Sequence, residues 1–379
     1  MKIVTLGEAC ETIMGQAPAG DTYNVVGTGL PLIAGASDFG DYFPKPSRST
    51  TAATKTCREG DIVLCVRATI GDLNWADRPY CLGRGVAALR ARDGVADSRY
   101  IWRAVEAHVE LLRALGRGAT FKQITRSDVV GFSIPLPPLP EQKRIAAILD
   151  QADDLRRRRW QALQRAEALN QSYFDDQFSN RIGDQNSEGC LADLVDRKRG
   201  ISYGIVQRGD DVEDGVPVVR IGDFVSGKFK NREFKRTSAR ISQTYKRTVL
   251  SGGELLISIR GTVGRLAIAP NSIAGANVSR EVAVIPLLPE ISRDVILAFL
   301  RNGIVQKRIT ADVRGVAQSG INLEHLRALR VPKFSEDEVK AFELEATHCR
   351  AIENAHNAAR QNTETLFTSL QHRAFRGDL

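Results

Sequence analysis

Apolar residues recur along two stretches of the chain at the spacing of a long helix. No glycine or proline occurs between Glu141 and Arg181, or between Ser335 and Arg376. The first stretch predicts a helix of about 35 residues, or about 50 Å at 1.5 Å per residue. The predicted inward positions are Ile145, Ile148, Ala152, Leu155, Ala162, Ala166, Leu169 and Tyr173 in the first helix, and Phe342, Ala346, Cys349, Ile352, Ala355, Ala359, Leu366 and Leu370 in the second.

Both stretches are preceded by signals for a helix start. Four prolines between Pro135 and Pro140 favour an extended segment, after which a helix can begin with Glu141 in its first turn. Ser335 and Glu338 have the spacing of a capping box. The narrow apolar stripes and matched lengths favour an antiparallel coiled coil. The alternative is that each helix packs only on its own domain.

A second pattern, an apolar β-rich run bounded by glycines, occurs twice and predicts a buried strand that enters a turn. The segment 60–71 aligns without gaps with the segment 253–264, and both read glycine, acid, apolar run, Arg-x-Thr, Ile or Val, and glycine. Three fainter pairs follow in the same order at an offset of about 195 residues. They are 118–135 with 315–332, 30–39 with 216–224, and 169–178 with 366–375. The chain therefore is predicted to run domain, helix, domain, helix.

Composition adds a weak preference for a polyanionic partner. The 379 residues carry a net charge of +8, and 42% of them are hydrophobic, which suffices for packed cores. No apolar stretch approaches the roughly 18 residues of a membrane span. The six cysteines form no C-x-x-C pair and no export signal is apparent, so reduced, buried thiols in the cytoplasm are expected. Two similar domains on a rod of about 50 Å would contact DNA one or more helical turns apart.

The search for catalytic residues yields only near-misses. The segment 222–229 resembles a phosphate-binding loop, but Phe229 replaces the hydroxyl residue and a strand and turn are favoured. The segment 77–80 lacks the first proline of the Asp-Pro-Pro-Tyr motif of adenine methyltransferases. Asp128 with Glu141 only superficially resembles a nuclease set, and the five histidines are not grouped. A binding protein is therefore favoured over an enzyme.

Four segments together resemble one known family. Pro-Leu-Pro-Pro-Leu-Pro-Glu-Gln at 135–142, followed by Ile-Ala-Ala-Ile-Leu at 145–149, closely resembles the central region of type I restriction-modification specificity subunits. The segments 6–10 and 215–223 resemble the starts of their two target recognition domains, and 366–379 resembles their C-terminus. The resemblance covers essentially the whole chain. The second helix departs from it, because it begins Ser-Glu-Asp-Glu-Val at 335–339.

The resemblance implies an α+β fold in which two similar mixed α/β DNA-recognition domains are joined by two long antiparallel helices with a pseudo-twofold repeat. The expected ranges are target recognition domain 1 at 1–137, a central helical region at 138–182, target recognition domain 2 at 183–333 and a C-terminal helical region at 334–379. It also implies a non-catalytic chain that reads both halves of a bipartite asymmetric site in double-stranded DNA.

The resemblance further implies partners that supply the chemistry. The paired helices would set the spacer and dock two methyltransferase subunits, which use S-adenosylmethionine. Added restriction/translocase subunits would use ATP and Mg²⁺, and this chain itself would hold no cofactor or metal.

DNA contacts are predicted on loops that carry polar and basic residues. Lys122 and Gln123 in the first repeat, and Gln318, Ser319 and Asn322 in the second, are the predicted recognition residues. Arg67 with Thr69 and Arg260 with Thr262 recur in both repeats. Two halves that read different sequences should not share base-reading residues, so these four are expected to contact phosphate or to hold the turn. Arg220 and Lys228 are further phosphate candidates.

The sequence leaves two roles open for the arginine run on the first long helix, and it also leaves alternative functions for the chain. The run Arg156–Arg159 points all round a helix, so it is either a charged collar at the methyltransferase interface or a contact to spacer phosphates. Trp75, Trp102 and Trp160 stand alone in the sequence and are expected to be packing residues. The alternatives are a stand-alone DNA methyltransferase or nuclease, and a coiled-coil scaffold with two protein-binding domains.

Overall fold

The computed structural model describes residues 1–118, 122–182, 189–225, 227–230, 233–311 and 320–379. The chain forms two compact units, of which the first is built from two separate parts of the sequence and the second from one continuous part. Unit 1 consists of Met1–Trp160 with Ala358–Leu379, and unit 2 of Gln161–Asn357. The divisions fall inside the two long helices, because each helix half packs on a globular part. The four ranges expected from the sequence stay a prediction.

Within its described residues, unit 1 contains three antiparallel or mixed sheets, four short helices and parts of both long helices. Its strands are β1 (Lys2–Thr5), β2 (Cys10–Met14), β3 (Tyr23–Asn24), β4 (Leu30–Ile33), β5 (Ser49–Thr50), β6 (Thr56–Cys57), β7 (Ile62–Cys65), β8 (Leu73–Trp75), β9 (Tyr80–Leu82), β10 (Val86–Ala91) and β11 (Ser133–Leu136). Its short helices are α1 (Leu6–Ala9), α2 (Ser98–Ala107), α3 (Val109–Ala114) and α4 (Arg126–Val130), and the long helix α5 (Leu139–Phe178) begins in it.

The central sheet of unit 1 has the strand order β2-β10-β7-β8, and a second sheet has the order β3-β5-β4-β9-β6. Strands β4 and β9 pair in parallel, while β7 and β10 pair antiparallel. Strand β7 is buried on both faces, which explains its continuous apolar run. Its Leu64 packs in one core cluster with Tyr100, Leu149 and Ala374. This cluster fixes the halves of both long helices to the sheet.

Unit 2 repeats this plan with fewer strands. Its strands are β12 (Ser202–Tyr203), β13 (Val216–Val219), β14 (Phe224–Val225), β15 (Lys228–Phe229), β16 (Lys235–Thr237), β17 (Leu255–Ser258), β18 (Leu266–Ile268), β19 (Asn277–Val278) and β20 (Val282–Ile285). Its helices are α6 (Ala239–Thr244), α7 (Arg293–Arg301), α8 (Gly303–Thr310), α9 (Leu323–Arg327), the last part of α5 and the first part of α10 (Glu336–Arg376).

The internal repeat predicted from the sequence is confirmed by the strand pairing. The central sheet of unit 2 has the order β12-β20-β17-β18, which matches that of unit 1 strand for strand. Strands β13 and β19 pair in parallel, as β4 and β9 do. The shared Asp-Phe pairs have a structural role, because the buried carboxylates of Asp38 and Asp223 accept hydrogen bonds from the backbone N–H groups of Ala34 and Arg220 at 2.7 Å.

The long helices are slightly longer than predicted, at 40 residues for α5 and 41 for α10. The capping box is confirmed, since the Glu338 N–H donates to Ser335 Oγ at 3.3 Å and the Ser335 N–H donates to Glu338 Oε2 at 2.8 Å. Part of the predicted apolar register is wrong, and several core residues were missed. Leu155, Leu169, Ile352, Ala355 and Leu366 are exposed, whereas Leu149, Leu163 and Phe174 are buried.

The register fails because the helices pack on the globular parts as well as on each other. A strict heptad describes a seam between two helices, whereas residues that face a sheet follow a wider stripe. Leu149 belongs to the core cluster of unit 1. Phe174 belongs to that of unit 2 and lies 5.6 Å from Phe342 between ring centroids.

The helices also contact each other within each unit, in the order that an antiparallel pair requires. In unit 1, Arg156 of α5 lies 3.4 Å from Glu364 of α10 and sits over the ring of Phe367 at 4.3 Å. In unit 2, Arg181 just beyond α5 pairs with Glu338 at the start of α10 at 3.0 Å. The two long helices therefore pair with each other and also pack on the globular parts, so both arrangements considered from the sequence occur together.

Among the described residues, no helix combines the length and the apolar character needed to cross a bilayer. The cysteines are free; five are buried and Cys190 is half-buried. Burial raises the pKa of the Cys10 thiol to about 12 and that of the Cys57 thiol to about 11.

Candidate nucleic-acid interface

The acidic residue of the repeated motif anchors the start of the central strand. In unit 1, Asp61 accepts from the Arg58 N–H at 2.9 Å and from Arg90 at 2.8 Å. In unit 2, Glu254 accepts from the Ser251 N–H at 2.8 Å and from Arg199 at 2.7 Å. Burial alone would raise the pKa of the Glu254 carboxyl, but these donors outweigh it and hold the pKa below its ordinary value. The acid is therefore structural.

The arginine of the same motif lies at the opposite end of the strand and faces solvent. Arg67 follows β7 and Arg260 follows β17, and both are exposed. Neither makes an ion pair or hydrogen bond through its guanidinium within the described residues. A solvated guanidinium at the tip of a rigid strand is suited to contact a phosphate.

The shared threonines are exposed and lie in the turn that follows each arginine. Thr69 Oγ1 donates to Cys65 Sγ at 3.5 Å, so its hydroxyl helps to close this turn. In unit 2 the closing hydroxyl belongs to another residue, because Ser258 Oγ donates to the Thr262 carbonyl at 2.5 Å. These hydrogen bonds support a turn role for Thr69, and phosphate contact by the arginines stays a prediction.

The second predicted loop of unit 1 lies directly beside Arg67. Lys122 and Gln123 are both exposed. The Ala68 N–H donates to the Lys122 carbonyl at 2.9 Å, and the Ile124 N–H donates to the Val66 carbonyl at 3.0 Å. Two segments that are more than 50 positions apart in the sequence therefore form one basic surface.

Unit 2 builds the same junction. The Ile321 N–H donates to the Ile259 carbonyl at 2.8 Å, and Arg260 forms an isolated antiparallel β-bridge with Gly320. Asn322 is exposed and caps α9, since its side-chain oxygen accepts from the Glu324 N–H at 2.9 Å. Its amide NH₂ has no partner within the described part of the chain. Gln318 and Ser319, the other two predicted recognition residues, lie outside the described residues.

The two remaining phosphate candidates differ in their surroundings. Arg220 follows β13 and is partly exposed, with Nε 3.7 Å from a carboxylate oxygen of Asp223. It lies near the junction, because the Ser279 N–H donates to the carbonyl of the preceding Val219 at 2.8 Å. Lys228 forms an ion pair with Glu167 of α5. A phosphate contact by Lys228 would therefore require this pair to open.

Two further arginines lie at equivalent positions of the two units and were not predicted from the sequence. Arg84 lies in the turn between β9 and β10, and Arg280 lies in the turn between β19 and β20. Both are exposed. The signal was the repeat itself: an alignment carried into this turn pairs 83–85 with 279–281, where arginine is the only shared residue.

These residues define two surfaces, one in each unit. We call Arg67, Arg84, Lys122 and Gln123 the unit 1 rim, and Arg220, Arg260, Arg280 and Asn322 the unit 2 rim. Each rim carries exposed cations and amides on loops that a buried sheet holds in place. That combination is typical of surfaces that contact nucleic-acid backbones and base edges.

The basic run on α5 is largely neutralised within unit 1. Arg156 pairs with Asp153 at 2.6 Å, and Arg158 pairs with Asp154 at 2.8 Å. Arg157 lies over the ring of Tyr42 at 4.1 Å. The charged collar is the better description of this run, and its meeting with a partner subunit stays a prediction.

The tryptophans do not all behave as expected. Trp75 and Trp102 stack on each other with ring centroids 5.0 Å apart, which confirms a packing role. They are therefore not isolated, and the fold brings together two residues that the sequence separates. Trp160 is 51% exposed, so the expectation that it packs is wrong in this structure.

The catalytic near-misses have structural roles. Residues Phe224–Val225 and Lys228–Phe229 form an antiparallel pair, which confirms the strand and turn in place of a phosphate-binding loop. The Tyr80 hydroxyl donates to Asp77 at 2.6 Å inside unit 1. Asp128 caps α4 through Thr125, whose hydrogen bonds hold the pKa of that carboxyl below its ordinary value. Within the described ranges, no group of three or more His, Cys, Asp or Glu side chains is placed to hold a metal.

Comparison with known proteins identifies similar chains. Residues 1–165 match the model of the type I restriction modification DNA specificity domain. The putative type I restriction enzyme MjaX specificity subunit of Methanocaldococcus jannaschii is 38% identical over 156 residues, which are 41% of this chain and 37% of that protein. The EcoBI specificity subunit of Escherichia coli is 26% identical over 342 residues, which are 82% of this chain and 72% of that protein.

Solved structures support the fold. The S subunit of a type I restriction-modification system from M. genitalium matches with a TM-score of 0.53 and 16% identity, over 99% of this chain and 96% of that chain. A chain from a study of complex assembly and conformational transition of the type I R-M system matches with a TM-score of 0.57 and 18% identity, over 100% and 98%. The matched curated proteins are named specificity subunits, and the solved structures show that this chain shares their fold.

Proposed function

We propose that the chain is a specificity subunit of the type I restriction-modification kind, and that its two units each recognise one half of a bipartite DNA site; its similarity to such subunits supports this proposal. The observation that carries this proposal is the duplicated rim. The same sheet edge presents an exposed arginine beside a polar loop in both units, but the loops differ in sequence. A shared frame with unlike side chains is what two readers of different half-sites need.

The unlike residues are proposed to read bases, and the shared ones to hold the backbone. Lys122 and Gln123 offer donors that suit guanine and adenine edges in the major groove. The corresponding part of unit 2 presents Gly320 and Asn322, and an asparagine amide suits adenine. Arg67 and Arg260 occupy the same place in both units and suit phosphate.

The two long helices are proposed to dock methyltransferase subunits. Each helix leaves large apolar side chains exposed, among them Trp160 at 51% on α5 and Leu344 at 60% on α10. Apolar residues of this size on a long helix favour a protein partner. In this proposal, the spacer length in the DNA site follows from the helices.

The chemistry is assigned to the partner subunits. We propose that methyltransferase subunits carry S-adenosylmethionine and modify adenine, that restriction/translocase subunits use ATP and Mg²⁺, and that this chain holds no cofactor. The assembly is proposed to act in the cytoplasm, where its DNA target lies. Binding of S-adenosylmethionine or Mg²⁺-dependent cleavage by the pure chain would instead support an enzyme.

Methylation mapping tests the proposal. The full chain is co-produced with its methyltransferase subunit in a host that lacks other DNA methylation, and the modified adenines are sequenced. The expected result is a bipartite motif with a fixed gap. Exchange of residues 1–134 for those of another specificity subunit should change one half only, and exchange of 189–331 should change the other half.

A matched point variant replaces Lys122 and Gln123 with alanine and keeps the backbone of unit 1. This variant should lose discrimination in the same half that the 1–134 exchange alters. Unchanged motifs in both exchanges would refute the assignment of recognition to these units. Methylation of the same motif by the partner alone would leave the scaffold alternative.

A further inference from the structure

The turns that carry Arg84 and Arg280 are fixed from both sides by the same hydrogen bonds in the two units. The residue before each arginine bonds to the end of a neighbouring strand: the Gly83 N–H donates to the Ile33 carbonyl at 2.8 Å, and the Ser279 N–H donates to the Val219 carbonyl at 2.8 Å. The backbone at each arginine is thus held to a strand end, not left in a free loop.

The residue after each arginine bonds to the segment that carries the motif arginine. The Val66 N–H donates to the Gly85 carbonyl at 2.8 Å, and Val66 directly precedes Arg67. The Ile259 N–H donates to the Glu281 carbonyl at 2.8 Å, and Ile259 directly precedes Arg260. Each unit therefore presents two exposed arginines on adjoining backbone segments, in the same register.

The side chains around this pair are not shared. Gly83 and Gly85 flank Arg84, whereas Ser279 and Glu281 flank Arg280. The glycines of unit 1 meet a local demand, since a Cβ on Gly85 would collide with the Ala34 carbonyl. Backbone packing alone therefore explains the neighbours in unit 1 but not the arginine that both turns carry.

The charge of these arginines is not balanced within the described residues. The guanidinium groups of Arg84 and Arg280 make no hydrogen bond or ion pair there. Arginines near the other end of the central strand of unit 1 have a partner, since Arg58 and Arg90 form ion pairs with Asp61. Among the described residues, each central strand thus has a paired acid at its start and two guanidinium groups without an ion-pair partner at its end.

From this geometry we propose that Arg84 with Arg67, and Arg280 with Arg260, form two equivalent clamps for DNA phosphates. This inference rests on the proposed function and adds two contact residues to it. The clamp supplies affinity that does not depend on sequence, and it sets the register in which the unlike loop residues reach the bases. Identical clamps let two halves read different sequences on one frame.

The test uses the full chain in complex with its methyltransferase subunits and measures DNA affinity as a function of salt. Arg84→Ala and Arg280→Ala should each weaken binding to a duplex that contains the recognised motif. They should weaken binding to an unrelated duplex by the same factor. The slope of log affinity against log salt should fall by about 0.9 for each arginine removed. The methylated motif should stay the same, and Arg84→Lys should restore most of the slope.

Arg58→Ala and Arg293→Ala are the matched controls. Arg58 is an exposed arginine at the start of β7, and the exposed Arg293 lies beside Gly253 at the start of β17, so each sits at the far end of the strand. Neither control should change the slope. Retained affinity and slope in Arg84→Ala and Arg280→Ala, or a loss confined to one motif base, would overturn the clamp. Absence of salt-dependent binding by the wild-type complex would instead overturn the proposed function.

Discussion

Removal of the Arg103 guanidinium should strongly destabilise unit 1. Arg103 of α2 is 1% exposed and lies at 2.9 Å from both Asp150 and Glu106 and at 3.0 Å from Asp153. Asp150 and Asp153 belong to α5, so this one side chain joins the first part of the long helix to the globular part of unit 1. Its methylene stem and planar fork fill a site that water does not reach.

The magnitude depends on which carboxylates keep a partner. In Arg103→Met the apolar volume is largely retained, Asp153 keeps Arg156 at 2.6 Å, and Asp150 keeps Arg99 at 3.4 Å. Glu106 loses its only ion pair within the described residues. Breaking a buried pair by removing one partner costs about 3–5 kcal/mol. For a domain of this size, that corresponds to a fall in Tm of roughly 6–20 °C.

The assay is thermal unfolding of the full chain, monitored by circular dichroism. Burial raises the pKa of the Glu106 carboxyl against the opposing effect of Arg103, so an unpaired Glu106 is the main expected source of the cost. The double variant Arg103→Met/Glu106→Gln should therefore regain part of the lost stability. A single variant within 1 °C of wild type, or a double variant no more stable than the single one, would refute this reasoning. Arg99→Met, at an exposed position, is the control.

Three further predictions test other parts of the structure. Phe174→Ala should lower the free energy of unfolding by about 3–5 kcal/mol because it empties an aromatic core site, whereas Leu169→Ala, 46% exposed, should have little effect in the same urea titration. Because the pKa of Glu254 is lowered in the folded state, its stabilisation is present above its ordinary pKa of 4.5 and lost as pH falls further. The Tm difference between wild type and Glu254→Gln should therefore shrink below about pH 4.5, and a constant difference would contradict it. Iodoacetamide should modify the half-buried Cys190 well before Cys10, as read by peptide mass spectrometry; equal rates in the folded chain would contradict the burial of Cys10.

Much of the fold is readable from local pattern. The glycine-bounded runs predicted β7 and β17, since a buried strand needs a continuous apolar segment and a tight turn at each end. The proline segment and the capping box marked the starts of α5 and α10 to within a few residues. The register inside these helices was less readable, because Leu155 and Leu149 are equally apolar and only the sheet beside them decides which one is buried.

The candidate interface divides in the same way. Arg67, Arg260 and the loops beyond them were found because a repeat exposes residues that two segments of one chain share. Arg84 and Arg280 were missed, since a single arginine in a dissimilar turn carries no local signal. Their place beside Arg67 and Arg260 depends on hydrogen bonds between residues that lie about 20 positions apart in the sequence. Lys228 shows the converse, because its sequence suggested a free cation and the fold supplies Glu167.

The order of elements, the duplication and the two long helices follow from the sequence, because each rests on residues close together in the chain. Which cations stay free, which helix face is covered and which loops meet depend on contacts between distant residues. Those contacts are chosen by the packing of whole units, where a buried acid captures one arginine and leaves another in solvent. Pairing of this kind has no signature in any single segment, so it becomes visible only when the chain is folded.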